Sequence, residues 1–154
     1  MSQLKNIWIL ATFMVCLLLL SACGAPQIQL PKVQATDDPT TQLTALTSAI
    51  FDGRQQQLNV LSPTFYAKAG TALEAARKGM SVGESAAQVL QNVAYGQAYI
   101  DKAKDYARVA KTVIGPAIDA RNAANKAGAM EVAKDYQSIE KDFLSLTRNI
   151  EDGD

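Results

Sequence analysis

One rhythm in the second half of the chain constrains its fold more than anything else. Val89, Val93, Gly96, Ile100, Ala103, Ala107, Ala110, Ile114 and Ala117 follow one another in alternating steps of four and three. An α-helix completes a turn in about 3.6 residues, so such steps keep small and apolar side chains on one side of it. A strand alternates every second residue and cannot use this pattern. The stretch therefore predicts a long helix packed along a seam against other helices. Gly115-Pro116 should bend or restart it, because Pro116 has no N–H for the Thr112 carbonyl and crowds it. If unbroken from Glu84 to Lys126, this helix would be roughly 65 Å long.

The same period recurs on both sides. Leu43, Leu46 and Ile50 predict a first helix ending near Gly53. Ser62-Pro63 is a start signal, with Ser as N-cap and Pro where a missing N–H costs nothing. Phe65, Ala69, Ala72 and Ala76 follow it, with Gly79 as a stop and Ser81 with Glu84 as a capping box for the long helix. After Gly128, a last helix carries Val132, Tyr136, Ile139, Phe143, Leu146 and Ile150. It should fold back on the long helix as an antiparallel hairpin, with the Ser62 helix as a third member. The expected class is all-α, a small antiparallel bundle with a long Ala-rich helix. Residues 63 to 127 include 17 alanines. Alanine favours helix but buries little area, so the bundle should be thin and open to stabilisation by partners or self-association.

The chain's front end is of another kind. Lys5 is the only charge in the first 22 residues, Ile7 to Leu20 is apolar, and Ser21-Ala22 are small. This is the layout of a secretory signal peptide, and its apolar run is shorter than the roughly 20 residues of a spanning helix. Leu20-Ser21-Ala22-Cys23, followed by Gly24, resembles the lipobox of bacterial lipoproteins. The resemblance implies cleavage between Ala22 and Cys23, a diacylglyceryl thioether on Cys23, and an acylated new terminus carrying chains such as palmitate. Several acyl chains anchor a protein stably where one does not. Gly24 in place of an aspartate implies, by the same resemblance, the outer membrane facing the periplasm, with inner membrane and cell surface left open. Ala25 to Pro39, with Pro26, Pro31 and Pro39, reads as an extended tether. At about 3.1 Å per residue it could reach roughly 45 Å. The expected divisions are signal peptide 1–22, lipidated cysteine and linker 23–39, and helical domain 40–154.

Chemistry is scarce in the remainder. Histidine is absent, and the mature chain keeps one cysteine at most, so the commonest base, metal ligand and disulfide are all missing. Basic and acidic residues number 15 each, and loss of Lys5 leaves a net charge of −1. No basic face for nucleic acid stands out. No nucleophile–base pair, phosphate loop or metal spacing is readable, which argues for a non-enzyme without metal or cofactor. Asp37-Asp38 before Pro39 suits a helix start. Lys102, Lys104, Asp105, Arg108 and Lys111 read as a solvated face. Tyr95, Tyr99 and Tyr106 share one side of the long helix and suit packing first, a stacking surface second. Arg121 sits on the seam between Ala117 and Ala124. It must snorkel, meet a partner, or pair with a carboxylate such as Asp119, Glu131 or Asp135.

Leu58-Asn59-Val60-Leu61-Ser62-Pro63, with Ala120-Arg121 and Ala127-Gly128-Ala129, resembles the helical segment that precedes an OmpA-like domain in some Gram-negative lipoproteins. That resemblance implies a longer parent protein, with Glu151-Asp152-Gly153-Asp154 inside a continuing helix. The function expected is a structural, scaffolding or protein-interaction lipoprotein of the cell envelope, held to the membrane by acylated Cys23. Its partners would be envelope proteins or further copies of itself. The competing expectation is a binding module using the tyrosines and Arg121 for a cell-wall glycan or lipid fragment. A concave pocket among the helices would favour the second and an exposed apolar stripe the first.

Overall fold

The computed structural model describes residues 28–31, 36–131 and 134–153, which contain six α-helices and no strand. The signal peptide, the lipobox with Cys23, much of the tether and Val132 lie outside the described residues. Among the described residues, no helix is long and apolar enough to cross a membrane.

Helix α1 spans Pro39–Gln55. Asp38 caps it, accepting from Thr41 N at 2.8 Å and from the Thr41 hydroxyl at 2.6 Å, and Pro39 takes the first helical position. These bonds hold the Asp38 carboxyl below its ordinary value. The helix passes Gly53, read as its end, because Gly53 is buried: a Cβ there would lie 3.0 Å from Leu58 Cδ1. The chain then turns through Gln57, which has a left-handed φ of 62°, into the single turn α2, Leu58–Leu61.

Helix α3 runs Pro63–Val82, starting where Ser62-Pro63 predicts. Neither Gly79 nor Ser81 acts as expected. Gly79 is buried, and Ser81 is inside the helix, its hydroxyl donating to the Lys78 carbonyl. The stop is Gly83 at φ 75°, in a Schellman arrangement with Glu84 N bonded to Gly79 O and Gly83 N to Met80 O. The capping box belongs to Ser85 and Gln88, one turn later than Ser81 and Glu84. It opens α4, Ala86–Val113. That helix is about 42 Å long, not 65 Å, because the chain breaks at Ile114 and restarts as α5, Gly115–Lys126. Gly128 at φ 81° ends this part, a 3-10 turn follows at Ala129–Glu131, and α6 spans Lys134–Asp152.

The seam is real through Ala110: Val89, Val93, Gly96, Ile100, Ala103, Ala107 and Ala110 are all buried. Beyond the break the register shifts, so Ala117 is exposed and Ile118 takes its place inside. The main antiparallel pair is α3 with α4, joined by the short turn at Gly83, with α1 as third member. Leu46, Leu73, Ala76, Val89 and Val93 form one cluster, with Leu46 pressed onto Gly96. Leu58, Leu61, Phe65, Ala103, Ala107, Ile118 and Phe143 form a second cluster further along α4. Helix α6 joins this one, packing on α2, α3 and α4. The tether thus enters at the α1 start beside the first cluster, whereas α5 and α6 are attached at the second.

Glu151 secures α6. Its carboxylate, 3% exposed, accepts from the Ser62 hydroxyl, from Thr64 N at 3.0 Å and from Phe65 N at 3.1 Å. It therefore caps α3 from the far end of the chain, which the Ser62 side chain does not do for its own helix.

Candidate functional site: an open groove between α5 and α6

The expected hairpin of the last two helical segments is not closed. Among the described residues, no Cα of α5 lies within 8 Å of a Cα of α6. Packed helices sit about 8–10 Å apart between axes, so side chains of ordinary size leave room here. The room is a groove of about 460 Å³, walled by Ala117, Ala120 and Ala124 on one side and Tyr136, Ile139, Phe143 and Leu146 on the other.

Its shape follows from how α6 turns. Residues on the expected inner stripe divide into two sets. Phe143 and Ile150 are buried, but Ile139 is 61% exposed and Leu146 40% exposed. Thr147 and Glu151 take the inner positions instead, Thr147 bonding its hydroxyl to the Leu144 carbonyl. The helix is therefore rotated so that its second apolar edge faces the groove. Fully burying a side chain of this size is worth about 1.5–3 kcal/mol. Part of that gain is unrealised at both Ile139 and Leu146.

A polar bridge spans the groove. Arg121 Nε donates to both Glu140 oxygens at 2.9 Å, and its Nη2 makes an ion pair with the same carboxylate. The Arg121 side chain is 13% exposed and its guanidinium lies 5.4 Å from the centre of the Phe143 ring. Arg121 thus does not snorkel free, and two of its expected mates lie elsewhere: Asp119 lines another cleft and Asp135 is exposed, while the side chain of Glu131 is outside the described residues. The Tyr136 hydroxyl bonds Glu140 at 3.1 Å and also meets Asn125 Oδ1. Partial burial, and then the Glu140 carboxylate, push the Tyr136 hydroxyl above its ordinary value. A bidentate guanidinium–carboxylate pair of this geometry fixes the two helices without closing the space between them.

The tyrosines singled out from the sequence gather elsewhere. Phe65 stacks on Tyr106 at 5.2 Å between ring centres and lies 6.4 Å from Tyr99, which in turn is 6.4 Å from Tyr95. Lys68 and Lys102 lie over these rings. Tyr99 and Tyr106 pack against the core, and Tyr95 is 36% exposed. The row closes the α3–α4 face, and Arg121 belongs to the α5–α6 bridge. Arg108 pairs with Asp105 and Lys104 with Asp101 on the solvated face.

A second, polar cleft of about 450 Å³ lies beside Gln55, Gln56, Gln57, Lys111, Asp119 and Asn122. Gln57 donates to Asn122 Oδ1 across it at 3.3 Å. Among the described residues, no three acidic or thiol side chains gather as metal ligands. Compared with known proteins, the chain matches no family model, no curated protein and no solved structure.

Proposed function

We propose that this chain is a lipid-anchored interaction module of the bacterial cell envelope. Cys23 would hold it to the outer membrane on the periplasmic side, and its distal end would hold another protein. The observation that carries the reading is the position of the open apolar groove. The tether joins at the start of α1, beside Leu43 and Leu46, whereas the groove's walls, α5 and α6, are attached at the second cluster, at the C-terminal half of the roughly 42 Å helix α4. A membrane-held body is best used as a spacer when its sticky surface is at the far end. Ile139 and Leu146 give that surface its apolar content, and exposed apolar side chains along a groove favour association.

A second reading has its own support. The polar cleft by Gln55, Gln56 and Gln57 offers amide donors and acceptors, with Lys111 and Asp119, suited to an uncharged cell-wall glycan. The expected tyrosines and Arg121 do not line it. Lacking an aromatic platform, the cleft ranks below the groove.

The anchor is tested by comparing the wild-type protein with Cys23→Ala in fractionated envelopes, followed by intact mass. The reading expects wild type in the outer membrane with a mass that starts at Cys23 and includes acyl chains. It expects Cys23→Ala to be unlipidated and lost from that fraction. Equal membrane retention of both, without acyl mass on wild type, would overturn the anchor.

A further inference from the structure

We propose that the groove between α5 and α6 receives an amphipathic helix from a partner protein, one with bulky apolar residues on its face and lysine or arginine along the flank beside α6. This rests on the interaction-module reading and names the chemistry of the partner.

The groove has the form a helix needs. Its α5 wall is Ala117, Ala120 and Ala124, whose side chains end at Cβ, so an approaching backbone can come close. Ala123 and Ala127 beside them are exposed as well. Its other wall projects Ile139 and Leu146 outward, large side chains spaced two turns apart, which intercalate with an i, i+3, i+7 stripe. No strand is present among the described residues, so pairing with an extended peptide at a sheet edge has no template here.

Charge selects the partner. At about 100° per residue, Asp135 and Asp142 point within roughly 40° and 60° of Ile139, on the groove side of α6. Lys141 and Arg148 point roughly 160° and 180° away from it. Asp135 and Asp142 are exposed, and Asp142 lines the groove itself. Among the described residues, the one cation in the lining, Arg121, is taken by Glu140. The open side of the groove is therefore apolar with an acidic rim. A second copy presenting its own α6 would bring Asp135 and Asp142 against the same two residues, which disfavours self-pairing. A basic flank complements them.

The test uses the full-length protein in nanodiscs of zwitterionic lipid, with empty nanodiscs as the blank. Two labelled helical peptides share one leucine face and differ only in flanks of lysine or glutamate, and binding is read by fluorescence anisotropy. The lysine peptide should bind at least about tenfold more tightly, as expected for complementary rim charges. The order should invert on the Asp135→Lys, Asp142→Lys protein, and Leu146→Ser should weaken both peptides. Both of these variants change exposed side chains, and circular dichroism checks that the fold survives. Equal binding of the two peptides, a preference that survives charge reversal, or no binding at all would overturn the proposal. So would dimerisation of the protein that Leu146→Ser abolishes. Photo-crosslinking from Ile139 in the intact envelope separates the two levels. A protein adduct there, without peptide preference, removes the basic helix and keeps the module, while absence of an adduct removes both.

Discussion

Glu151→Ala is the sharpest test of how the helical body holds together. In the folded chain this carboxylate is 3% exposed and accepts three hydrogen bonds at the start of the 20-residue helix α3, from the Ser62 hydroxyl and the amides of Thr64 and Phe65. Loss of an N-terminal cap acceptor costs about 1 kcal/mol, within a range of 0.5–2. Hydrogen bonds to a charged group contribute about 1.5–3 kcal/mol, and an orphaned buried donor costs about 1–3 kcal/mol. These terms overlap, because they describe the same bonds, so the sum is not their total. The reasonable figure for Glu151→Ala is about 2–4 kcal/mol, toward the upper end because Ser62 and Phe65 are buried and water cannot replace the carboxylate. Glu151→Gln keeps one acceptor oxygen but turns an NH2 toward a donor, and should cost about 1–2 kcal/mol. For a body of this size each kcal/mol lowers Tm by roughly 4 °C, so Glu151→Ala should fall by about 8–16 °C. Thermal unfolding followed by circular dichroism at neutral pH measures it, with the neighbouring exposed Asp152→Ala as control. A Glu151→Ala protein melting within about 2 °C of wild type would mean that the Glu151 hydrogen bonds contribute nothing net.

Other consequences follow from the same packing. Gly96→Ala puts a Cβ 2.5 Å from Leu46 Cδ2, and Leu46 is fully buried, so overpacking of about 1–3 kcal/mol should outweigh the gain of about 1 kcal/mol in helix propensity. Gly70→Ala has open space within 4 Å and should stabilise by about 1 kcal/mol; urea unfolding of the two variants should therefore give opposite signs. A double-mutant cycle on Arg121→Ala and Glu140→Ala should give a coupling of about 1–2 kcal/mol, between the surface and buried limits, because the side chains are 13% and 24% exposed. A coupling near zero would mean that the bridge does not hold α5 to α6. The raised Tyr136 value fixes a sign: the folded state favours the neutral phenol, so its contribution is complete below pH 10 and is lost as pH rises through the higher folded value. Ultraviolet titration of wild type against Tyr136→Phe should show the missing phenol titrating above 10, and a midpoint at or below 10 would contradict the assignment.

Local chemistry was readable in the sequence; long-range polar partners were not. The seam from Val89 to Ala110 follows the helical period, and it is buried as that period requires. Ser62-Pro63 marks the start of α3 because a proline at the first position carries a local steric rule. The errors share a cause. Ser81-Glu84 and Ser85-Gln88 have the same spacing, and only the position of Gly83, at positive φ, selects the second. Gly79 and Gly53 look like stops, yet both lie inside helices at close approaches, where a Cβ would meet Glu84 and Leu58 respectively. Glu140 and Glu151 meet partners 19 and as many as 89 residues away, a separation that no periodicity encodes. Helix α6 has two apolar edges, and its pattern cannot tell which one faces the core. The core side is set by Thr147 and Glu151, polar residues whose hydrogen bonds make burial tolerable. The groove consists of the edge left over, which the period alone does not mark.

Site-specific photo-crosslinking in living cells, from Ile139 in the groove and from exposed Lys78 near the tether end, decides whether the chain works through its distal groove. A discrete protein adduct is expected from Ile139, none from Lys78, and loss of the Ile139 adduct when Cys23→Ala frees the chain from the membrane. Equal adducts from both positions, or an Ile139 adduct indifferent to Cys23, would contradict a membrane-held module that works through its distal groove.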